Sequence, residues 1–567
     1  MINTTPNNPE ITLSHKKLAG LALFSSVLQY LSFFPANLGF LGWVSLVPFL
    51  LLVKAPVGRR AGWIIWVISF AQFLASLRWM MVADERMIAT WILLSWWCSL
   101  FPWVAWRILR HLHGKIQDLP LAFLVPLVWL PLEHARAYLL TGFPWYYLAH
   151  TQHDSISLLQ TADFAGTQYV SLLVGMWNGW LADLLAVARP PWLGLSKSPV
   201  NRSALAFSGA IALTMLAFGL AYGAWRNRQV LESLTPGPLV VAMQANHPQS
   251  ARNDASYFEN IWEDYKGMLA GAKKFDPELI IWPETSFPFE IPIQSGQDGP
   301  LLGRRRDGQK DIEFSGPAQL LGSGVVILKD EKPFRRHNSS LLQDFQRGIV
   351  KRYDKIHRVP FGEYLPLKEI IPGMALLSPY EFDYSITAGE GFTRFPLLAK
   401  NGREYSFCTL ICYEDSDFYL ARQAAGADGQ PPPDFLINQS NDGWFKGTEE
   451  HEQHLAVARF RSVETRKSLI RAVNMGITAL VDPAGRVLNP ESEEGIVDGF
   501  RVNIESPSLP SSQWNRFKAR PVLLAANIPL TTMVAPYISV GDWLAWTLDS
   551  ILILSLLATF RGSPSKT

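Results

Sequence analysis

The chain has 567 residues, 48% of them hydrophobic and 18% charged, with a formal net charge of +2. That near-neutral balance gives no support to a nucleic-acid partner, which leaves a basic excess on one face. Three cysteines (Cys98, Cys408 and Cys412) cannot make a disulfide framework. The averages conceal a partition. Residues 18–225 hold 19 Asp, Glu, Lys and Arg among 208 positions, whereas residues 226–530 hold 74 among 305. The second share is that of an ordinary globular domain; the first is far too low for one.

In chain order, stretches near 18–35, 38–53, 61–82, 88–106, 119–132, 167–188 and 203–225 approach the roughly 20 apolar residues that cross a hydrocarbon core. An eighth follows near 542–560. The fifth is expected to end where Glu133, His134 and Arg136 begin. Lys16 and Lys17, then Lys54, Arg59 and Arg60, then Arg107, Arg110 and Lys115, then Arg189, Lys197 and Arg202, and finally Arg561 and Lys566 all fall on one side of eight such spans. The positive-inside rule makes that side cytoplasmic and puts the polar block outside the cytoplasm. No small-residue cleavage site follows the first span, so it reads as a retained anchor. Arg78, Asp183 and Asp549 are ionisable residues in or beside spans, and the two aspartates have no evident charged partner. The aromatic, turn-rich stretch 141–147 reads as a loop at the lipid–water boundary.

In the polar block, short apolar runs at 238–243, 278–282, 324–328, 406–411 and 435–438 predict strands, and 469–474 with 478–481 a hairpin. Helical periodicity runs over 256–270 and 450–465. The alternation favours an α/β sandwich. Segment 294–315, with Arg304, Arg305 and Arg306, reads as a solvated loop.

Three places carry chemistry. Glu284 follows a buried run ending in Trp282-Pro283; Lys355 and Glu363 share a Pro/Gly-containing loop; Cys412 ends an apolar strand and is followed by Tyr413 and Glu414. Alternation puts Cys408 on the same strand face as Cys412, but within the apolar run, where it reads as core. A thiol with a pKa near 8.5 is a poor nucleophile at neutral pH without a base or a positive neighbour. Glu284 can take its proton. Lys355 and the backbone N–H after Cys412 can stabilise a tetrahedral oxyanion.

Trp282-Pro-Glu284, Lys355 before Val359-Pro-Phe-Gly-Glu363, and Ile411-Cys-Tyr-Glu414 resemble the Glu–Lys–Cys signatures of the nitrilase superfamily. With hydrophobic spans on both sides, the chain resembles the bacterial apolipoprotein N-acyltransferases. Thr141-Gly-Phe-Pro-Trp145, Asn441-Asp-Gly-Trp-Phe445, Arg461, Glu464, Arg471-Ala-Val-Asn474 and Gly541-Asp-Trp543 are similar to further motifs of that family. The resemblance implies a multi-pass α-helical membrane domain of about eight spans plus an αββα nitrilase-like sandwich. Its expected boundaries are 1–228 (membrane), 229–530 (catalytic, periplasmic) and 531–567 (last span), in the bacterial inner membrane. It also implies an acyl transfer in two steps. Cys412 takes an acyl chain from the sn-1 position of a phospholipid, typically phosphatidylethanolamine. The α-amino group of a diacylglyceryl-cysteine on an apolipoprotein then receives it. Glu284 is implied as base, Lys355 as oxyanion stabiliser, Glu363, Tyr413 and Glu414 as supporting residues, and Trp444 as a substrate-pocket residue. No metal or organic cofactor is implied. The expected partners are the phospholipid donor, the lipidated acceptor and the bilayer.

Arg358 departs from the family by placing a charge before Val-Pro-Phe-Gly-Glu, and Ala251, Arg252 and Asn253 lack an aromatic found in some relatives. A membrane-tethered amidase transferring the acyl group to water could use the same triad, but one span would tether it. A transporter would need functional ionisable groups inside the spans.

Overall fold

The computed structural model describes residues 12–83, 87–116, 118–188, 201–248, 258–296, 316–344, 348–366, 368, 370 and 384–561. The expectations placed on Arg304–Arg306, on Ala251–Asn253 and on Arg189 and Lys197 lie outside them.

Every segment expected to span is helical. These are α1 (His15–Ser32), α2 (Val47–Lys54, preceded by a tight turn at Gly39–Trp43), α3 (Ala61–Ser76), α4 (Ile88–Lys115), α5 (Leu121–Tyr138), α6 (Gln168–Ala188) and α7 (Arg202–Glu232). Four helices among the described residues are long and apolar enough to cross a membrane: α4, α6, α7 and the C-terminal stretch Trp543–Phe560. Large apolar side chains stand exposed on them, including Trp96, Phe207, Phe218, Trp546, Leu554 and Phe560. Such surface suits lipid rather than water.

Helix α5 does not stop at Leu132. It runs through Glu133, His134 and Arg136 to Tyr138 because these groups face protein, where partners meet them. Glu133 accepts from the Trp129 indole (3.1 Å), the Leu148 backbone (2.8 Å) and the Ser171 hydroxyl (2.7 Å). The intramembrane aspartates are paired as well: Asp183 with Lys54 at 2.6 Å, Asp549 with His134 at 2.7 Å. Those pairings correct the expectation from sequence and give the three ionisable positions structural work. Arg78, the third, meets Glu449 at 3.0 Å.

Beyond α7 the chain forms two sheets. One orders β12 (Glu491–Ser492), β13 (Gly499–Val502), β14 (Val522–Leu530), β1 (Thr235–Gln244), β2 (Leu279–Ile281), β4 (Ala318–Lys329), β5 (Lys332–Asp344) and β6 (Gly348–Asp354), with β3 (Ile291–Gln294) also on β4. The other orders β11 (Ala479–Val481), β10 (Leu469–Val473), β9 (Phe435–Ser440), β8 (Glu404–Ile411) and β7 (Phe395–Leu398). Period-two alternation assigns the faces. Val240 and Ala242 of β1 pack inward with Phe407, Leu410, Leu436 and Ile470 of the second sheet. Val241 and Met243 pack outward against Ile261, Tyr265 and Ala272 of α8 (Phe258–Lys273). The expected strand at 324–328 is the second half of β4, whose first half was hidden by its polar and glycine positions.

The far face of the second sheet is covered by α9 (Glu450–Thr465), all sixteen residues of which are buried. It lies between the sandwich and the helical block. Glu464 accepts from the Thr167 hydroxyl at 2.7 Å, and Arg459 meets Asp154 at 3.2 Å. Just beyond α9, Arg466 joins Asp163 at 2.7 Å, where Arg226 also binds at 2.6 Å. An αββα sandwich is thus bolted to the helices through buried charge.

Candidate active site

The parallel strands β8 and β9 end together. Cys412 follows β8 directly and opens the tight turn Cys412–Asp415 with φ at 54°. A non-glycine residue in this left-handed region costs about 1–2 kcal/mol. Such strain persists where the surroundings over-determine it, which happens often at functional sites. Glu284 follows β2 by three residues, and Lys355 follows β6 by one. The turn carrying Glu284 passes close over β4, where a Cβ on Gly322 would collide with the Pro283 carbonyl. Glycine is therefore required there.

The three predicted residues converge. The Cys412 thiol lies close enough to Glu284 for the carboxylate's charge to act on it. Lys355 Nζ lies 3.4 Å from Glu284 Oε1 and 2.8 Å from Glu363 Oε1. Lys355 is 1% exposed, so its charge acts in a medium where it is worth far more than in water. Burial pushes Glu284 above the usual carboxylate range, against the pull of Lys355. Burial pulls Lys355 down, yet Glu363, Cys412 and Glu284 together hold it well above the usual lysine value. Burial and then Glu284 push the Cys412 thiol well above its ordinary value, with Lys355 opposing. A thiol, a carboxyl group and a lysine thus share one buried site.

Glu363 and Glu414 each hold the lysine loop. Glu363 Oε2 accepts from the Val359 N–H at 2.8 Å, closing its own loop. Glu414 Oε1 accepts from Ile356 N–H (2.7 Å) and His357 N–H (2.9 Å); its Oε2 accepts from Ile411 N–H (2.7 Å) and the Tyr353 hydroxyl (2.8 Å). Tyr413 stacks nearly parallel on Phe143 (5°) and Trp145 (10°) of the stretch 141–147. Phe143, Trp145 and Tyr147 of this stretch are buried against protein rather than exposed. The stretch packs from the helical block onto the residue next to the thiol. Trp444, expected to line the pocket, is half-buried in the turn Asp442–Phe445 and makes no ring–ring contact with another described residue. Arg358 donates to the Ile386 carbonyl at 2.8 Å and lies over the Tyr364 ring, aimed at the 384–386 segment.

Comparison with known proteins divides the chain as its composition does. The family profile described as apolipoprotein N-acyltransferase N-terminal domain matches residues 25–180, and that of carbon-nitrogen hydrolase matches residues 239–499. An apolipoprotein N-acyltransferase of Geobacter metallireducens is 29% identical over 84% of this chain and 88% of its own. Those of Vibrio cholerae (27%, covering 86% and 91%) and Azotobacter vinelandii (28%, covering 94% and 93%) are similar over comparable lengths. The chain belongs to the apolipoprotein N-acyltransferase family. Among solved structures, an amidase of the nitrilase superfamily from Nesterenkonia matches at 15% identity and a TM-score of 0.30, over 55% of this chain and 97% of that one.

Within this family member, Glu284, Lys355 and Cys412 all fall in the carbon-nitrogen hydrolase match, and Trp145 in the N-terminal match. Sequence reasoning missed Asn338, whose amide donates to Glu284 Oε1 at 2.7 Å and to Glu363 Oε1 at 3.3 Å. The signal was the polar run His337-Asn-Ser-Ser340 inside a strand, all of it buried. It also missed His357, which pairs closely with Asp417 and meets the edge of the Tyr413 ring. Gln439, donating to the Trp282 carbonyl at 2.6 Å, ties the sheet bearing Cys412 to the strand before Glu284.

Proposed function

We propose that this enzyme N-acylates apolipoproteins by a two-step transfer through Cys412, and that Glu284, Lys355 and Cys412 are its catalytic residues. The observation that carries the reading is the contact of Tyr413 with Phe143 and Trp145: the thiol's neighbour is packed on the membrane helices' own loop. A thiol placed there meets lipid at the bilayer surface. Drawing a diacyl substrate fully into water would cost about 0.8 kcal/mol for each CH₂ exposed.

In the first step Cys412 Sγ attacks the sn-1 ester carbonyl of a phospholipid, phosphatidylethanolamine above all, while Glu284 takes the thiol proton. Negative charge grows on the carbonyl oxygen, where Lys355 Nζ and the Tyr413 N–H are its donors. The C–O bond breaks, Glu284 returns the proton to the leaving alkoxide, and a lysophospholipid departs from the thioester. In the second step the α-amino nitrogen of a diacylglyceryl-cysteine attacks that thioester. Glu284 accepts the amine proton, the C–S bond breaks, and the thiolate recovers the proton. Splitting the transfer lets two lipid-anchored molecules use one site in turn. Glu363 and Glu414 hold the lysine loop, and Trp444 with Tyr413 lines the approach. The membrane part covers 1–228 and 531–567, the catalytic part 229–530. The latter lies on the periplasmic side of the inner membrane, opposite the Lys/Arg-rich span ends.

The test is intact-protein mass spectrometry after incubation with phosphatidylethanolamine. The expected result is an adduct on Cys412 matching the sn-1 chain, discharged by a diacylglyceryl-cysteine peptide far faster than by water. Discharge by water alone would make the enzyme a hydrolase, and absence of any adduct would overturn the reading.

A further inference from the structure

A second cluster of chemically active side chains lies where the turn Asp442–Phe445 meets the start of α9. Glu450 and His454, four residues apart, share one face of that helix. His454 Nδ1 lies 3.3 Å from Asp442 Oδ1 and 3.7 Å from Glu450 Oε1. One ligand atom from each of the three falls within 4.8 Å of the other two. All three are buried, Glu450 at 4% exposure, and Asp442 Oδ2 and Glu450 Oε2 accept no hydrogen bond among the described residues. A buried carboxylate oxygen left open, as Glu450 Oε2 is, is costly.

We propose that Asp442, Glu450 and His454 bind a divalent transition-metal ion of the zinc class. Four ligands at about 2.0–2.1 Å from zinc in a tetrahedron stand about 3.3 Å apart. The two His454 distances lie within a few tenths of an ångström of that edge. The imidazole is prepared in the way metal-bound histidines are: its Nε2 meets the Asp415 carboxylate at 2.7 Å, which fixes the ring with Nδ1 facing the other two ligands. One imidazole with two carboxylates leaves a fourth position for water, a donor set that suits zinc better than calcium or magnesium. Arg471, paired closely with Asp415 and 3.7 Å from Asp442 Oδ2, holds the two aspartates beside the ring. The ion would clamp the loop after the thiol's strand to the start of α9, with Asp442 close enough for its charge to act on Cys412.

The experiment uses the full-length protein in detergent, purified without a metal-affinity step. Elemental analysis is expected to find one zinc per chain. Titration of the chelator-treated protein with Co²⁺ is expected to give the visible bands of a four-coordinate site, which Zn²⁺ abolishes. Glu450→Gln, similar in shape, should keep the wild-type circular dichroism and lose at least about tenfold in zinc affinity, given that even outer-shell partners contribute that much. Zinc no higher than the buffer background, together with no Co²⁺ bands, would overturn the site. So would a folded Glu450→Gln protein binding zinc as the wild type does.

Discussion

Glu414 accepts the backbone N–H of Ile356, the residue after Lys355, at 2.7 Å, and so fastens the lysine's loop to the turn that presents Cys412. Both of its oxygens are saturated by donors: two backbone N–H groups on one, a third with the Tyr353 hydroxyl on the other. Glutamine at this position would aim an N–H₂ group at two of those donors. Glu414→Gln is therefore expected to lose activity by about 10²-fold, the scale of a small misplacement of catalytic groups. The protein should stay folded, and the loss should appear in kcat rather than KM. Equal activity in the variant would mean that the loop holds Lys355 without it.

Cys408 lies within β8 and Cys412 just beyond its end, in different environments. Cys408 is fully buried in the sandwich core, 3.4 Å from the Arg394 guanidinium, and burial pushes its thiol up to about 12. Cys412 meets the carboxylate and the ammonium. Cys412→Ala is expected to abolish the acyl adduct, whereas Cys408→Ala should retain most of it, as mass spectrometry will read directly. Equal loss in both variants would undo the assignment of roles.

Asn338 donates to Glu284 and so helps to hold its carboxylate ionised against burial. Burial holds Glu284 above the usual carboxylate range, so activity should fall on an acid limb lying above 4.5. Lys355 and Cys412 are held well above 10.5 and 9.0, so no alkaline limb from them is expected near neutrality. The stability contribution of Glu284 runs oppositely. Between 4.5 and its raised folded value the native state binds more protons than the unfolded chain, so stability declines as pH rises through that window. Asn338→Ala removes a donor to the ionised carboxylate and should move the acid limb to higher pH, with a loss of about tenfold at neutral pH. A limb unmoved in the variant would show that the amide does not act on Glu284.

The sequence made some of this legible and hid the rest for identifiable reasons. Glu284 and Cys412 were readable because each follows an apolar strand, and Lys355 because it sits in a Pro/Gly-containing loop; such places converge in a sandwich. Helix α9 was readable from periodicity over the same sixteen residues. Its complete burial was not, because a helix sandwiched between a sheet and other helices can carry buried arginines whose partners lie three hundred positions away, as Arg459 and Asp154 do. Strand β5 escaped notice because its middle is polar: His337, Asn338, Ser339 and Ser340 serve the site rather than the core. The end of α5 was misplaced for a related reason, since charge marks a membrane edge only when it faces solvent. Glu133 faces Trp129, Ser171 and the Leu148 N–H.

Asp163 tests the bolt between the two halves. It is fully buried and meets Arg466 at 2.7 Å and Arg226 at 2.6 Å, while Arg466 also donates to Gln160 Oε1 at 2.7 Å. Asp163→Ala leaves two guanidinium groups without their shared counter-charge, which costs about 3–5 kcal/mol for a buried pair. A thermal-denaturation assay on the detergent-solubilised protein should show a lower midpoint. The loss should be nearly independent of salt, because a buried pair is screened little. Replacing the partner as well, in Asp163→Ala/Arg466→Met, removes one uncompensated cation and should recover part of the loss. An unchanged midpoint in the single variant would mean that the halves are held by apolar packing around α9 alone, with the buried charges contributing nothing net.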